Sequence, residues 1–266
     1  GFAFMNLFHG ALADSFGRTF WALGETATLA RDSDLRMWAM HLAERALPHL
    51  DALTYRRSRA FAILGLCPLV VAGLAGARDR LEEFSAALLT TYRDNRRPSW
   101  DWFEPALAYD NARLPEALLR ASATLNDAGM RSAGLEALSW LSQVHTAPAG
   151  HFRPVGSESF NRPYAPPLPL DQQALEAAAA IDANWAAFDV TGDPAWRREA
   201  HRAFAWYMGR NDLGHPVASS ETGGCHDGIN AVGVNRNQGA ESVLSFQLAA
   251  CAMRAREKAR QVKAAC

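Results

Sequence analysis

The feature that most restricts the fold of this chain is a helical spacing of apolar residues that recurs along nearly its whole length. Apolar side chains fall three and four apart over Phe16 to Ala30, Leu35 to Leu53, Arg57 to Ala75, Arg78 to Asn95, Asn111 to Leu125, Gly129 to Thr146, Gln172 to Val190, Pro194 to Met208 and Ala240 to Lys263. That spacing gathers each apolar set on one helix face and predicts about nine helices of roughly 15 to 20 residues. Asp193 precedes Pro194 as an N-cap precedes a proline at the first helical position, and Asp110 and Asp171 stand just ahead of the helices that follow them. No run alternates apolar and polar residues as a half-buried strand does, so an α/β sheet is not expected. The expected class is all-α, with helices joined in pairs by short turns such as Gly76-Ala77 and stacked as helical hairpins.

With 266 residues, 49% of them hydrophobic, the chain can enclose a substantial core, and it reads as one domain over 1–266. Lys and Arg number 27 against 28 Asp and Glu, a balance that gives no electrostatic reason to approach nucleic acid or anionic lipid. The longest apolar run, Ile63 to Ala77, contains Pro68 and is shorter than the roughly 20 residues that cross a bilayer, so it predicts a buried core helix. Cys67, Cys225, Cys251 and Cys266 show no pairing pattern; free thiols and a cytoplasmic location are expected. The chain opens on Gly1-Phe2-Ala3-Phe4, with neither an initiator Met nor a signal-like segment, so the expectation is that something has been removed or that this is a piece of a longer protein.

Three connections, Arg96 to Tyr109, Ala147 to Leu170 and Gly209 to Gly239, are long, rich in Pro and Gly, and loaded with aromatic and amide residues. Long loops in a helical domain usually carry function. Around them three segments pair carboxylates with amides near helix starts. The first runs from Trp100-Asp101-Trp102-Phe103-Glu104-Pro105 into Tyr109-Asp110-Asn111-Ala112-Arg113-Leu114-Pro115-Glu116. The second is Asp171-Gln172-Gln173-Ala174-Leu175-Glu176. The third runs Glu221-Thr222-Gly223-Gly224-Cys225-His226-Asp227-Gly228 and on to Asn235-Arg236-Asn237-Gln238-Gly239-Ala240-Glu241-Ser242. Sugar chemistry uses this mixture: aromatic faces for pyranose rings, amides for hydroxyls, and two carboxyl groups across a scissile bond. Each residue also has a structural explanation. Asp110 and Asp171 suit N-caps, Asp227 suits a Gly-rich turn, Glu241 suits a helix dipole, Glu116 and Glu176 read as hydrogen-bonding or exposed helix residues, and Trp100 and Trp102 suit a loop pinned to the core. Cys225-His226-Asp227 lacks a second spaced Cys or His motif for zinc, and no phosphate, dinucleotide or catalytic-serine motif is present. No metal and no cofactor are expected.

At Gly17-Arg18-Thr19-Phe20-Trp21-Ala22-Leu23-Gly24, Tyr109-Asp110-Asn111-Ala112-Arg113-Leu114-Pro115, Asp171-Gln172-Gln173-Ala174-Leu175-Glu176-Ala177, Thr222-Gly223-Gly224-Cys225-His226-Asp227-Gly228 and Asn237-Gln238-Gly239-Ala240-Glu241-Ser242 the chain resembles the six-hairpin, (α/α)6-toroid domains of bacterial glycosidase-like proteins. Such domains are often fused to, or encoded beside, glycosyltransferases. The resemblance spans nearly the whole chain and implies a sugar-binding toroid with its cleft where inner helices meet loops. It implies that Asp110, Asn111, Arg113, Asp171, Gln172, Asp227, Asn237, Gln238 and Glu241 stand around that cleft, and the catalytic carboxylates are expected among Asp110, Asp171, Asp227 and Glu241. Substrate contacts are expected from Trp100, Trp102, Asn111, Arg113, Gln172, Gln173, His226, Asn237 and Gln238. The chain departs from the group in having about nine helices where six hairpins need twelve, which implies a toroid incomplete at its N-terminus. It also departs before Gly17, where the group tends to show an acidic stretch with a His and this chain has Ala11-Leu12-Ala13-Asp14-Ser15-Phe16.

The first expectation is a glycoside hydrolase cleaving a bacterial oligo- or polysaccharide, one carboxyl protonating the leaving oxygen and another activating water. The second is a non-catalytic glycan-binding or scaffold toroid tied to polysaccharide synthesis. The third is a sugar epimerase or isomerase, which usually relies on several histidines where only His226 falls in a cleft motif. The implied partners are the saccharide and a glycosyltransferase or further chain covering an open toroid edge.

Overall fold

In the computed structural model residues 2–265 are described, with side chains over 12–261. The side chain of His9, and Cys266, lie outside them. The described residues are mostly helical: α1 (Phe2–Leu29), α2 (Ser33–Ala46), α3 (Arg56–Val71), α4 (Ala77–Asn95), α5 (Arg113–Leu125), α6 (Ala128–Val144), α7 (Ala174–Thr191), α8 (Pro194–Tyr207) and α9 (Ala240–Ala265). All nine expected helices are present, so the chain is an all-α array of helical hairpins. Pro48 accompanies the one internal change, a switch from α2 into a 3₁₀ turn over Leu47–Ala52. Asp193 caps α8 as expected, its side chain accepting the Ala195 N–H at 2.8 Å, and Asp32 caps α2 through the N–H groups of Asp34 and Leu35. Among the described residues no helix is long and apolar enough to cross a membrane.

The chain falls into two compact units, with α6 divided between them after Ala137. The first holds residues Gly1–Phe103 and Arg113–Ala137, the second Glu104–Ala112 and Leu138–Cys266.

In the first unit α3 is the hub, packed by α1, α4 and α5. Its sequence is apolar on nearly every face from Ala60 to Leu69, as a helix surrounded by others must be. Gly17 and Gly24 lie two turns apart on α1 and meet Ser58 and Gly65, equally spaced on α3. A methyl group on Gly24 would stand 2.3 Å from the Gly65 carbonyl oxygen, and one on Gly65 would stand 2.6 Å from that of Phe20. Glycine is therefore what lets the two backbones touch. Buried Asp14 accepts the Ser58 hydroxyl at the same crossing.

In the second unit α7 plays the same part against α8 and α9. Eight alanines keep α7 slim, and it is buried on most faces. A sheet unforeseen in the sequence caps this unit: β1 (Gln172–Gln173), β2 (Gly228–Asn230) and β3 (Gly233–Asn235) run antiparallel in that order. Strands of two and three residues are too short to show an alternating pattern.

Candidate functional site

Three of the four expected carboxylates, Asp171, Asp227 and Glu241, line one cavity of about 300 Å³ in the second unit, together with Gln173, Asn235 and Ser242. The small sheet makes this possible. Gln173 pairs with Gly228, and Gly228 has φ +150, with a side chain there standing 1.9 Å from the Gln172 carbonyl oxygen. Only glycine permits that approach, and it delivers the neighbouring Asp227 to the cavity.

Asp227 organises the loop that leads into α9. Its N–H donates to the Asn237 carbonyl at 2.8 Å. Its carboxylate accepts the Gly239 N–H at 2.7 Å and the Asn237 side-chain amide at 2.5 Å. Burial works against the charge, but these donors, with the Ser242 hydroxyl and nearby His226, outweigh it and hold the carboxyl below the usual carboxylate range. It is thus ionised at neutral pH, able to accept a proton and not to supply one. Asp171 sits at a chain reversal with φ +57, a left-handed conformation that Asp enters more readily than most residues. Its carboxylate accepts the Ser157 hydroxyl and its carbonyl accepts the Ser157 N–H at 3.0 Å. Glu241 is exposed in the first turn of α9. Among the described residues no Lys, Arg or His lines the cavity, so its chemistry suits a neutral, hydroxyl-bearing ligand held by carboxylates, amides and a hydroxyl.

Several expected site residues lie elsewhere. Asp110 is 0% exposed and so cannot touch a substrate; its φ is +51 and α5 begins three residues later, at Arg113. Its N–H, and both the N–H and the side-chain amide of buried Asn111, donate to Glu176 in the first turn of α7, the Asn111 bonds at 3.2 Å. The Asp110 turn is thereby anchored to α7, next to Gln173. Asp171 is no N-cap, since β1 intervenes and the capping position of α7 is Gln173. Gln172 is buried as a structural cross-link. Its amide donates to the Pro169 carbonyl at 2.8 Å and to Asp212 at 2.5 Å, and its oxygen accepts the Trp206 indole N–H at 2.8 Å. Asp212 in turn binds Arg153 and His151.

Trp100 and Trp102 belong to the first unit and are 7% and 0% exposed. Trp102 packs edge-on against Phe103, so neither offers a face for a sugar ring and the pinned-loop explanation applies. Arg113, in the same unit, is buried against Glu116 rather than open to a ligand. His226 is half-buried with Nδ1 3.1 Å from the Arg236 carbonyl oxygen. Asn237 and Gln238 are exposed and outside the cavity lining, Asn237 as the clamp on Asp227. Only Gln173 of the expected contact residues lines the cavity.

Among the described residues no group of three or more His, Cys, Asp or Glu could hold a metal ion. Cys225 is buried, its thiol is pushed up to about 12 by burial and by Asp227, and its Sγ donates to the His226 carbonyl. Cys67, Cys225 and Cys251 are free thiols. Sequence reasoning passed over Asn235, Ser242 and Gly228 as lining and shaping residues, although all three stand in the quoted segments. Glu176 is the hydrogen-bonding helix residue that the sequence offered as one of its two readings, whereas Asp212 was passed over as a support, since no local signal marks it.

Glu176 is the most perturbed carboxyl beside the site. Burial, then the Asp110 carboxylate, push it up to about 7 despite the Asn111 and Asp110 donors. A folded value above the ordinary 4.5 means that its stabilising contribution is complete below about pH 4.5 and is lost as pH rises through about 7. Asp110→Asn, which removes the neighbouring negative charge, is expected to lower the Glu176 titration midpoint in a carboxyl-carbon NMR titration. A wild-type Glu176 titrating as an ordinary glutamate would show that this buried anchor is misread. The chain matches no protein-family model and no curated protein sequence.

Proposed function

We propose that the second-unit cavity is a carbohydrate site and that the protein is a carbohydrate-active enzyme, best read as a glycoside hydrolase acting on a bacterial oligo- or polysaccharide. The observation that carries this is the convergence of Asp171, Asp227 and Glu241 with Gln173, Asn235 and Ser242 on one cavity free of basic side chains. The resemblance to six-hairpin glycosidase-like domains, with the toroid arrangement that it implies, adds to it. The hydrogen bonds that keep Asp227 ionised suit it to activate water, leaving Asp171 or Glu241 to protonate the leaving oxygen. Asp110, being buried, drops out of the acid/base pair and becomes a positioning residue. A cytoplasmic location rests on the cysteine usage. A glycosyltransferase, or a further chain completing the toroid, is the macromolecular partner consistent with the resemblance.

One observation favours a second reading, a glycan-binding module without turnover. The carboxyl whose pKa best suits a general acid at neutral pH, Glu176, is buried, engaged by backbone N–H groups and absent from the cavity lining.

A product assay over a panel of bacterial saccharides separates the two. The wild type is set beside Asp171→Asn, Asp227→Asn and Glu241→Gln, with thermal unfolding as the folding control. The hydrolase reading expects Asp227→Asn and one of the other two to lose roughly 100-fold or more in turnover while the fold is kept. Ligand-dependent stabilisation without product would establish the binding module, and neither product nor stabilisation would overturn the carbohydrate assignment.

A further inference from the structure

A second cavity of the same unit, about 270 Å³, has the opposite character. Its wall is a stripe of α8 in which Arg198, His201 and Arg202 stand three and four residues apart and share one face, continued past the helix end by Arg210. His151 and Phe152 close the other side, and among the described residues no carboxylate lines it.

The three guanidinium groups are not equivalent. Arg202 is fixed: it pairs with Glu199, donates to the His145 and Ser142 carbonyls at 3.1 and 3.3 Å, and lies 5.7 Å over the Phe152 ring. Its charge is offset by Glu199, and Arg153 nearby is offset by Asp212, which also holds the His151 ring at 3.0 Å. Arg198 and Arg210 are exposed, and among the described residues neither enters an ion pair or side-chain hydrogen bond. Two uncompensated cations therefore face a concavity whose third arginine is held in place by the protein.

We propose that this cavity is an anion site that takes the phosphate group of a small phosphorylated molecule. A phosphate dianion matches the two uncompensated guanidinium charges, whereas a carboxylate would leave one of them unmet. Arginine forks bind its oxygens in pairs, with charge-assisted hydrogen bonds. The volume exceeds what a bare phosphate fills, which favours a phosphomonoester with one attached ring over the free ion. The carboxylate cavity plays no part in this assignment, and neither outcome there bears on it.

Isothermal titration of the whole chain with glucose 1-phosphate, inorganic phosphate and sodium glucuronate tests the proposal. Arg198→Ala, Arg210→Ala and the double variant are compared with Arg78→Ala, an exposed arginine of the first unit, as the control for general loss of charge. Saturable binding of one glucose 1-phosphate, weakened about tenfold or more in the double variant and unchanged in Arg78→Ala, is the expected result. Inorganic phosphate binding as tightly as glucose 1-phosphate would keep the phosphate site and make the free ion its ligand. No saturation up to about 10 mM with either phosphate, equal losses in the double variant and Arg78→Ala, or tighter binding of glucuronate would overturn it.

Discussion

Glu116→Gln is expected to destabilise the protein by about 3 to 5 kcal/mol, the cost of leaving a buried charge without its counter-charge. Glu116 is 0% exposed and lies between two guanidinium groups, with Arg113 Nη1 at 2.6 Å and Arg120 Nε at 2.7 Å. Arg113 is itself buried and sits 4.7 Å over the Trp21 ring, so this charge cluster ties α5 to α1 as well as stabilising α5. A glutamine keeps the shape and one acceptor, but the two arginines then face no anion. Burial pushes the Glu116 carboxyl up, and the two arginines together outweigh that and hold it below its ordinary 4.5. Its contribution is therefore present above about pH 4.5 and is lost as pH falls through the lower, folded value. Chemical denaturation across the acid range should show the wild-type and variant stabilities converging as the pH is lowered. A Glu116→Gln protein within about 1 kcal/mol of the wild type at neutral pH would mean that the cluster behaves as a solvated surface pair.

Gly228→Ala should do its damage at the candidate site. The φ of +150 is costly for any L side chain, and the added carbon would lie 1.9 Å from the Gln172 carbonyl oxygen, a backbone atom that cannot rotate away. Strain and overpacking together predict a loss of roughly 3 kcal/mol, relieved only if β2 separates from β1. Because Gln173 pairs with Gly228 and Asp227 precedes it, separation moves two lining residues of the cavity apart. Saccharide binding should accordingly fall by more than the loss of folded protein explains, which thermal unfolding and a binding titration on the folded fraction would distinguish. Wild-type stability in this variant would rule out the close β1–β2 approach.

Much of this architecture was legible in the chain. The helix positions, the Asp193 cap and the segments holding Asp171, Asp227 and Glu241 all follow from residues a few positions apart, which is the range over which helical periodicity, capping and turn chemistry act. The small sheet was not legible, because its strands are too short to alternate. The roles of polar residues were legible least of all. Asp110, Asn111, Gln172 and Arg113 have the composition of ligand contacts, yet each is buried as a structural group. The partners that decide this are distant: Glu176 lies 66 residues from Asp110, and Asp212 lies 40 from Gln172.

The sequence by itself determined that this chain is an array of helical hairpins and where its chemistry-bearing loops fall, since both depend on local spacing. Only the tertiary structure decided which of those polar groups face a cavity and which satisfy one another inside the protein. A buried donor or acceptor must find a partner wherever the fold brings one, and that meeting has no signature in local sequence.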